Sequence, residues 1–337
     1  MKKPVFKTLS VLISILFVFL LLGCTKESLK VNKNSLIMYS LKNGKIKLNV
    51  KDLKENTSKK VTIKNKILNE NSVITETSNV FDPWLINSPA ENQNDVLFFP
   101  YEDGKIISLK NKGHTVIGTI NNYIFLCKYE NDSLKIIKLD KKTLNSEELK
   151  FRLTLDEDTR VFLGDYNDTK EELSTVYTNS TGTYLLNISQ NKIQSDKISN
   201  KVLCGKVKWV KNELIFIGKD LLNSKKLNDK LILIKIKDSN AKINVKEYNV
   251  IPQCFNVENE IVDIQYIDDT NLLILAIKPG GNKLALYKFN KNKYTINQLN
   301  EEKIDFQSIK VLNNQTYIIG FDKIFKLNGD FNLKYLK

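Results

Sequence analysis

A two-part phrase recurs along this 337-residue chain: an apolar run, a polar turn, then a second run rich in Ile, Leu and Tyr. It begins at Gln93 ("QNDVLFFPYEDGKIISLKNKG"), at Ile120 ("INNYIFLCKYENDSLKIIKLDKKTL") and at Glu171 ("EELSTVYTNSTGTYLLNISQNKI"). Later copies start at Lys211 ("KNELIFIGKD", continued by "NDKLILIKIKDSNAKI" from Asn228), at Thr270 ("TNLLILAIKPGGNKLALYKFNKNKYTI") and at Asn313 ("NNQTYIIGFDKIFKLNGDFNL"). The runs have strand character. In "KFRLTLD", Phe151, Leu153 and Leu155 alternate with Arg152 and Thr154, the period of two of a half-buried strand. "LILIKIK" and "NLLILAIK" are continuous apolar stretches, as strands need when both faces are covered. Asn-Asp, Asp-Gly, Asn-Gly and Gly-Gly pairs at their ends supply the positive φ of hairpin turns. No amphipathic helical period stands out beyond the N-terminal segment, so the chain reads as all-β.

The second runs centre near Ile107, Ile137, Leu186, Ile234, Tyr287 and Phe325, at intervals of about 30, 49, 48, 53 and 38 residues. These intervals scatter around the length of a four-stranded blade, which predicts a β-propeller. Two earlier phrases, "NSLIMYSLKNGKIKLNV" from Asn34 and "KVTIKNKILNENSVITET" from Lys60, supply a first blade and a candidate for another. About 314 residues at about 40 to 50 per blade give six to eight units, with seven the best fit. Two β-sandwiches or an irregular solenoid are the competing architectures. No Pro/Gly/Ser-rich linker divides the chain as two sandwiches require.

At the N-terminus, Lys2, Lys3 and Lys7 precede an apolar stretch from Leu9 to Leu22, which ends at Gly23-Cys24 and turns at once to Thr, Lys, Glu and Ser. This is the three-part pattern of a secretion signal. As a helix the stretch reaches only about 21 Å, short of a hydrocarbon core of about 30 Å. Leu21-Leu22-Gly23-Cys24 resembles the lipobox of bacterial lipoproteins. The resemblance implies cleavage after Gly23 and a diacylglycerol thioether on Cys24; the competing readings are an ordinary signal peptide and an uncleaved anchor. At about 0.8 kcal/mol per buried methylene, one acyl chain binds a membrane reversibly and a second makes attachment stable. On this reading residues 1–23 are the signal peptide, 24–33 a lipidated tether and 34–337 the propeller domain, on the extracytoplasmic face of the cell membrane. Nine extended tether residues span roughly 30 Å, which keeps the body near the bilayer.

The formal charge is +14, and loss of the first 23 residues leaves about +11. Nearly all of it is Lys. Arg152 and Arg160 are the only arginines, and guanidinium is the group that reads phosphates and base edges bidentately. No nucleic-acid partner is therefore expected. Diffuse Lys charge suits anionic lipid headgroups or a phosphate-rich wall polymer, beside its ordinary role as a solvated surface. After Cys24 there remain Cys127, Cys204 and Cys254, an odd number with no disulfide framework. Cys127 and Cys204 stand in apolar runs, where a thiol behaves as a small hydrophobe.

Taken together, the lipobox and the repeats resemble bacterial lipoproteins with a β-propeller-like domain. "IIKLDKKTL", around Leu139-Asp140 and Thr143, is similar to the outer hairpin of quinoprotein-type and YVTN-type blades, as is "QTYIIGFDKIFKLNGD". Gly113-His114 has no Trp-Asp partner, Gly280-Gly281 stands alone, and Trp84 and Trp209 are the only tryptophans. No named propeller family is indicated, and no family's functional residues carry over.

Chemistry is sparse. His114 is the only histidine, so a multi-histidine metal centre is impossible; its place in "NKGHTVIG", after a turn and entering a strand, predicts an exposed turn residue and not a catalytic one. "LDEDTRVFLGDYNDTKEEL" collects Asp156, Glu157, Asp158, Asp165, Asp168, Glu171 and Glu172, but lacks the Gly and the terminal Glu of an EF-hand loop, and a solvated acidic loop is expected. No catalytic residue, metal site or cofactor is assigned. "NVFDPWLINSPAENQ" from Asn79 concentrates Phe81, Pro83, Trp84 and Pro89. Phe81 and Trp84 are candidate contacts for a ligand or partner, or else a plug at one end of the ring. Two functional classes follow. One is a non-enzymatic, membrane-anchored binding or scaffold module for an envelope protein, peptide or glycan. The other is a surface-attached hydrolase or lyase with carboxylate and tyrosine chemistry in the central channel.

Overall fold

The computed structural model describes residues 31–336 except 33, 65–71, 77–81, 88–93, 103, 110–112, 131–132, 155, 157–158, 190–191, 221–230, 240–241, 251–259, 269, 279–283, 291, 294, 303–305, 321–322 and 331. Gly23, Cys24 and Phe81 lie outside the described residues. Among those described there is no helix, and the strands form seven antiparallel sheets in chain order.

Blade 1 holds β1 (Ser35–Lys42), β2 (Lys45–Asp52) and β3 (Thr57–Lys64). Blade 2 holds β4 (Val73–Thr75), β5 (Trp84–Asn87), β6 (Val96–Phe99) and β7 (Lys105–Ser108). Blade 3 follows with β8 (His114–Ile120), β9 (Tyr123–Glu130), β10 (Ser133–Asp140) and β11 (Ser146–Thr154). In blade 4 the first strand is broken into β12 (Arg160–Val161) and β13 (Asp165–Asn167), both paired with β14 (Glu172–Asn179), then β15 (Gly182–Ile188) and β16 (Ile193–Ser199). Blade 5 comprises β17 (Leu203–Val210), β18 (Glu213–Asp220), β19 (Leu231–Ser239) and β20 (Lys242–Val250). Blade 6 comprises β21 (Glu260–Tyr266), β22 (Asn271–Ile277), β23 (Leu284–Asn290) and β24 (Thr295–Glu302). Blade 7 ends the chain with β25 (Phe306–Leu312), β26 (Gln315–Gly320), β27 (Ile324–Leu327) and β28 (Leu333–Leu336).

Why the strands read as unbroken apolar runs is plain in β22. Leu272, Ile274 and Ala276 pack toward blade 5, while Leu273 and Leu275 pack toward blade 7. Each residue's neighbour points to the opposite face, and both faces are covered. Successive junctions are built alike. Ile37 and Leu48 meet Trp84 and Phe98 between blades 1 and 2. Leu97 and Phe99 meet Val116 and Leu126, Phe125 and Ile136 meet Leu173 and Leu186, and Val176 and Leu185 meet Phe216 and Ile234. Ile215 and Leu233 meet Leu272 and Tyr287, and Leu273 meets Ile318 and Phe325.

A seventh junction, Leu36 and Met38 against Tyr317, Ile319 and Ile324, closes the ring between the last blade and the first. Among the described residues neither terminal blade lends a strand to the other: β1 pairs with β2 and β28 with β27. Closure therefore comes from side-chain packing. The ring has seven blades, and a pair of sandwiches or a solenoid is excluded.

Ile137, Leu186, Ile234, Tyr287 and Phe325 fall in the third strands of blades 3 to 7. Ile107 does not; it lies in β7, the fourth strand of blade 2, which explains the short first interval. The phrase from Lys60 is not a separate blade either. Its first half completes β3 and its second half is β4, so a blade boundary runs through it.

Candidate functional site: the central cavity

First strands form the innermost edge of each sheet, and their middle residues enclose a cavity of about 250 Å³. Tyr39, Glu76, Asp165, Lys206, Lys208, Asp263 and Lys310 contribute to its wall. Backbone N–H groups on an innermost edge have no further strand to pair with and need another acceptor. Two aspartates provide one. Asp165 Oδ2 accepts the Trp209 N–H of the next blade at 2.7 Å, and its Oδ1 lies 3.0 Å from Lys208 Nζ. Asp263 Oδ2 accepts the Ile309 N–H of the blade that follows it at 2.9 Å. Each carboxylate latches its own blade to its successor. Gly164 sets the first of them: its N–H donates to Ile117 O at 2.6 Å, and a Cβ there would fall 2.6 Å from Ser174 O. No side chain fits that approach.

Glu76 reaches from blade 2 to Lys310 of blade 7, with Oε2 3.3 Å from Nζ and both side chains largely buried. Burial, and then the negative charge of Asp263, push Glu76 above the usual carboxylate range; Lys310 offsets this only in part. Tyr39 of blade 1 lies under the same influences. Burial first, then Glu76, raises its phenol well above the ordinary value, so the hydroxyl stays neutral. Lys206, half-buried on the same wall, has no ion-pair partner among the described residues.

Trp84 is not in a loop: it opens a strand. It is 2% exposed in β5, with its ring 4.8 Å from that of Tyr39 and 5.5 Å from that of Phe98. Strand alternation turns it into the junction of blades 1 and 2. His114 opens β8, at the entry to a strand as its place after a turn implies, but it is buried: it is 6% exposed and gives both its N–H (2.9 Å) and Nδ1 (3.1 Å) to Asp95 Oδ2. It takes no part in the cavity wall. The acidic stretch is not simply a solvated loop. Asp165 is buried in the wall, and Asp156 accepts from Thr159 Oγ1 at 2.9 Å and from Ser180 N at 2.8 Å, whereas Asp168 and Glu171 are exposed. Among the described residues no three His, Cys, Asp or Glu side chains come together in a metal-binding group.

Sequence reasoning missed Glu76, Lys206, Lys208, Asp263 and Lys310. Their signal is a charge interrupting an apolar first strand, as in "IVDIQ" and "QSIKV". Such an interruption is exposed on a solvated sheet but points at the axis in a ring.

No family model and no curated protein matches this chain. Solved structures do. A candidate 6-phosphogluconolactonase from Bacteroides uniformis superposes with a TM-score of 0.58 at 10% identity, over 90% of this chain and 95% of that one. A protein from Lactobacillus plantarum gives a TM-score of 0.59 at 9% identity, over 89% and 94%. An oligogalacturonate lyase in complex with manganese gives 0.50 at 9% identity, over 89% and 83%. At such identities the likeness extends to fold alone, and the chain is an all-β, seven-bladed propeller similar in architecture to these proteins.

Proposed function

We propose that this protein is a non-enzymatic binding module, held on the extracytoplasmic face of a membrane by lipid on Cys24, with the central cavity as its ligand site. The observation that carries this reading is the state of the wall carboxylates. Asp165 and Asp263 hold backbone N–H groups of the following blades, and Glu76 holds Lys310. Groups engaged in latching the ring are poorly placed to shuttle protons, but they fix a polar lining of charges and a neutral phenol. A cavity of about 250 Å³ suits a small polar molecule. The lipobox at Leu21–Cys24 supports the anchor.

Thermal-shift screening of small sugars, sugar acids and amino acids tests the binding site. The expected hit stabilises the wild type and loses that effect in Lys206→Glu. Stabilisation that is identical in the variant places the ligand elsewhere and sinks the cavity assignment.

The alternative is a surface-attached hydrolase or lyase. It is favoured by the raised Glu76 and by the fold shared with an oligogalacturonate lyase and a candidate 6-phosphogluconolactonase. Turnover of a sugar lactone or of oligogalacturonate, with or without manganese, abolished by Glu76→Gln, selects that reading.

A further inference from the structure

Formal charge alternates around the ring. Blade 1 (34–64) carries about +6, and residues 65–108, 109–154, 155–200, 201–250, 251–302 and 303–337 carry about −5, +4, −4, +7, −2 and +3. Because the number of blades is odd, the alternation must fail once. It fails where blade 7 meets blade 1, the junction that also closes the ring.

Strand register puts that charge on two facing surfaces. In blade 1, Ile37, Ile46, Leu48 and Val50 face blade 2, so the alternate positions face blade 7. There Lys45 stands opposite Lys64, and Lys47 and Lys60 lie opposite Thr62 and Asn49. In blade 7, Ile324 and Leu336 pack toward blade 1, and two residues along each strand from them Lys326 stands opposite Lys334. Lys47, Lys60, Lys64 and Lys334 are exposed, and Lys45 and Lys326 half-buried. None of the six has an ion-pair partner among the described residues. The described carboxylates of these two blades lie elsewhere: Asp52 and Glu55 at the β2–β3 turn, Asp330 in the β27–β28 turn. Like charges directly opposite each other weaken a sheet, so Lys45 with Lys64, and Lys326 with Lys334, call for counter-charge from outside.

We propose that the outer part of the blade 7–blade 1 junction is a binding cleft for a linear phosphate polymer. Two sheet faces set against each other admit an extended chain and not a planar bilayer. Lysines two residues apart on a strand repeat at about 6.7 Å, a spacing that an extended string of phosphates can follow. Lys supplies the point charges such a partner needs without bidentate geometry. The inference deepens the envelope reading and rests on it only for where the polymer is met.

The test uses the chain from Thr25 to Lys337. All seven junctions lie within residues 31–336, so this chain carries the whole ring. Long-chain inorganic polyphosphate is the probe. Binding is expected with a log–log salt slope of about −4, from about −0.7 per contact. Lys47→Glu, Lys60→Glu and Lys334→Glu combined should weaken binding at least tenfold and flatten the slope by about 2. The same three positions changed to Gln should give a smaller loss in the same direction. The same reversals at Lys219, Lys237 and Lys246 of blade 5 match the change in net charge and should alter binding less than threefold. Equal losses in both sets, absence of polyphosphate binding, or preferential binding to phosphatidylglycerol vesicles overturns the proposal. Whether Cys24 carries lipid has no bearing on these readouts, so the two readings fail separately.

Discussion

Asn313 donates from its side-chain amide to Asn34 Oδ1 at 3.2 Å, joining residues 279 positions apart across the seam of the ring. Behind this exposed clasp stand five buried apolar side chains, Leu36, Met38, Tyr317, Ile319 and Ile324, against twelve between blades 3 and 4. The junction with the longest loop to close thus has the least buried apolar packing among the described residues. Local opening should begin there. Amide exchange is expected to be faster in β1 and β26 than in β9 and β14. Leu36→Ala should cost about 2–5 kcal/mol and Asn34→Ala about 1 kcal/mol or less by urea unfolding. Uniform exchange across all blades contradicts a weak seam.

Lys141 Nζ lies 2.6 Å from Asp82 Oδ1, and the Thr119 hydroxyl donates to the other oxygen. The Asp82 side chain is 2% exposed, so removing its partner strands a charge out of water. Lys141→Ala is predicted to cost about 3–5 kcal/mol, and adding Asp82→Asn should recover part of the loss. A single-variant cost below about 1 kcal/mol in urea melts would show that water replaces the lysine freely.

Asp95 governs an acid-side stability change. Burial disfavours its charge, but hydrogen bonds from the His114 ring, the His114 N–H and Asn87 prevail and hold it below the usual carboxylate range. A depressed carboxylate stabilises the fold above its unfolded value of about 3.9, and that contribution disappears as pH falls through the lower folded value. The melting temperature should therefore drop on acidification below about pH 4, and Asp95→Asn should flatten the drop. An unchanged acid profile in the variant assigns the effect to other groups.

Cys127 sits fully buried in β9, where burial pushes its thiol up to about 12. Only thiolate reacts readily with alkylating agents. In native protein at pH 8, iodoacetamide should modify half-buried Cys204 before Cys127, with Cys127 reacting on unfolding. Prompt native labelling of Cys127 would show that blade 3 opens far more often than its packing suggests.

The fold was readable because a propeller writes its geometry into the chain. In β22 both faces are covered, so Leu272 to Ala276 form one apolar run, and turns such as Asn43-Gly44, both at positive φ, punctuate the strands. Blade boundaries were less legible where strands are short or polar, as at β3 and β4. Individual sites were legible least. Trp84 looked loop-borne because Pro83 precedes it, and His114 looked exposed because a turn precedes it, yet Trp84 opens a strand and both side chains are buried. Asp165 and Asp263 seemed ordinary because latching depends on which residue of the next blade comes alongside, and no local pattern encodes that.

Cys24 decides the account most directly. Mass spectrometry of the N-terminal peptide from membrane-extracted protein should find Cys24 as the first residue, carrying diacylglycerol. A chain that still begins at Met1, or an unmodified mature protein recovered from the culture fluid, contradicts a lipid-held module.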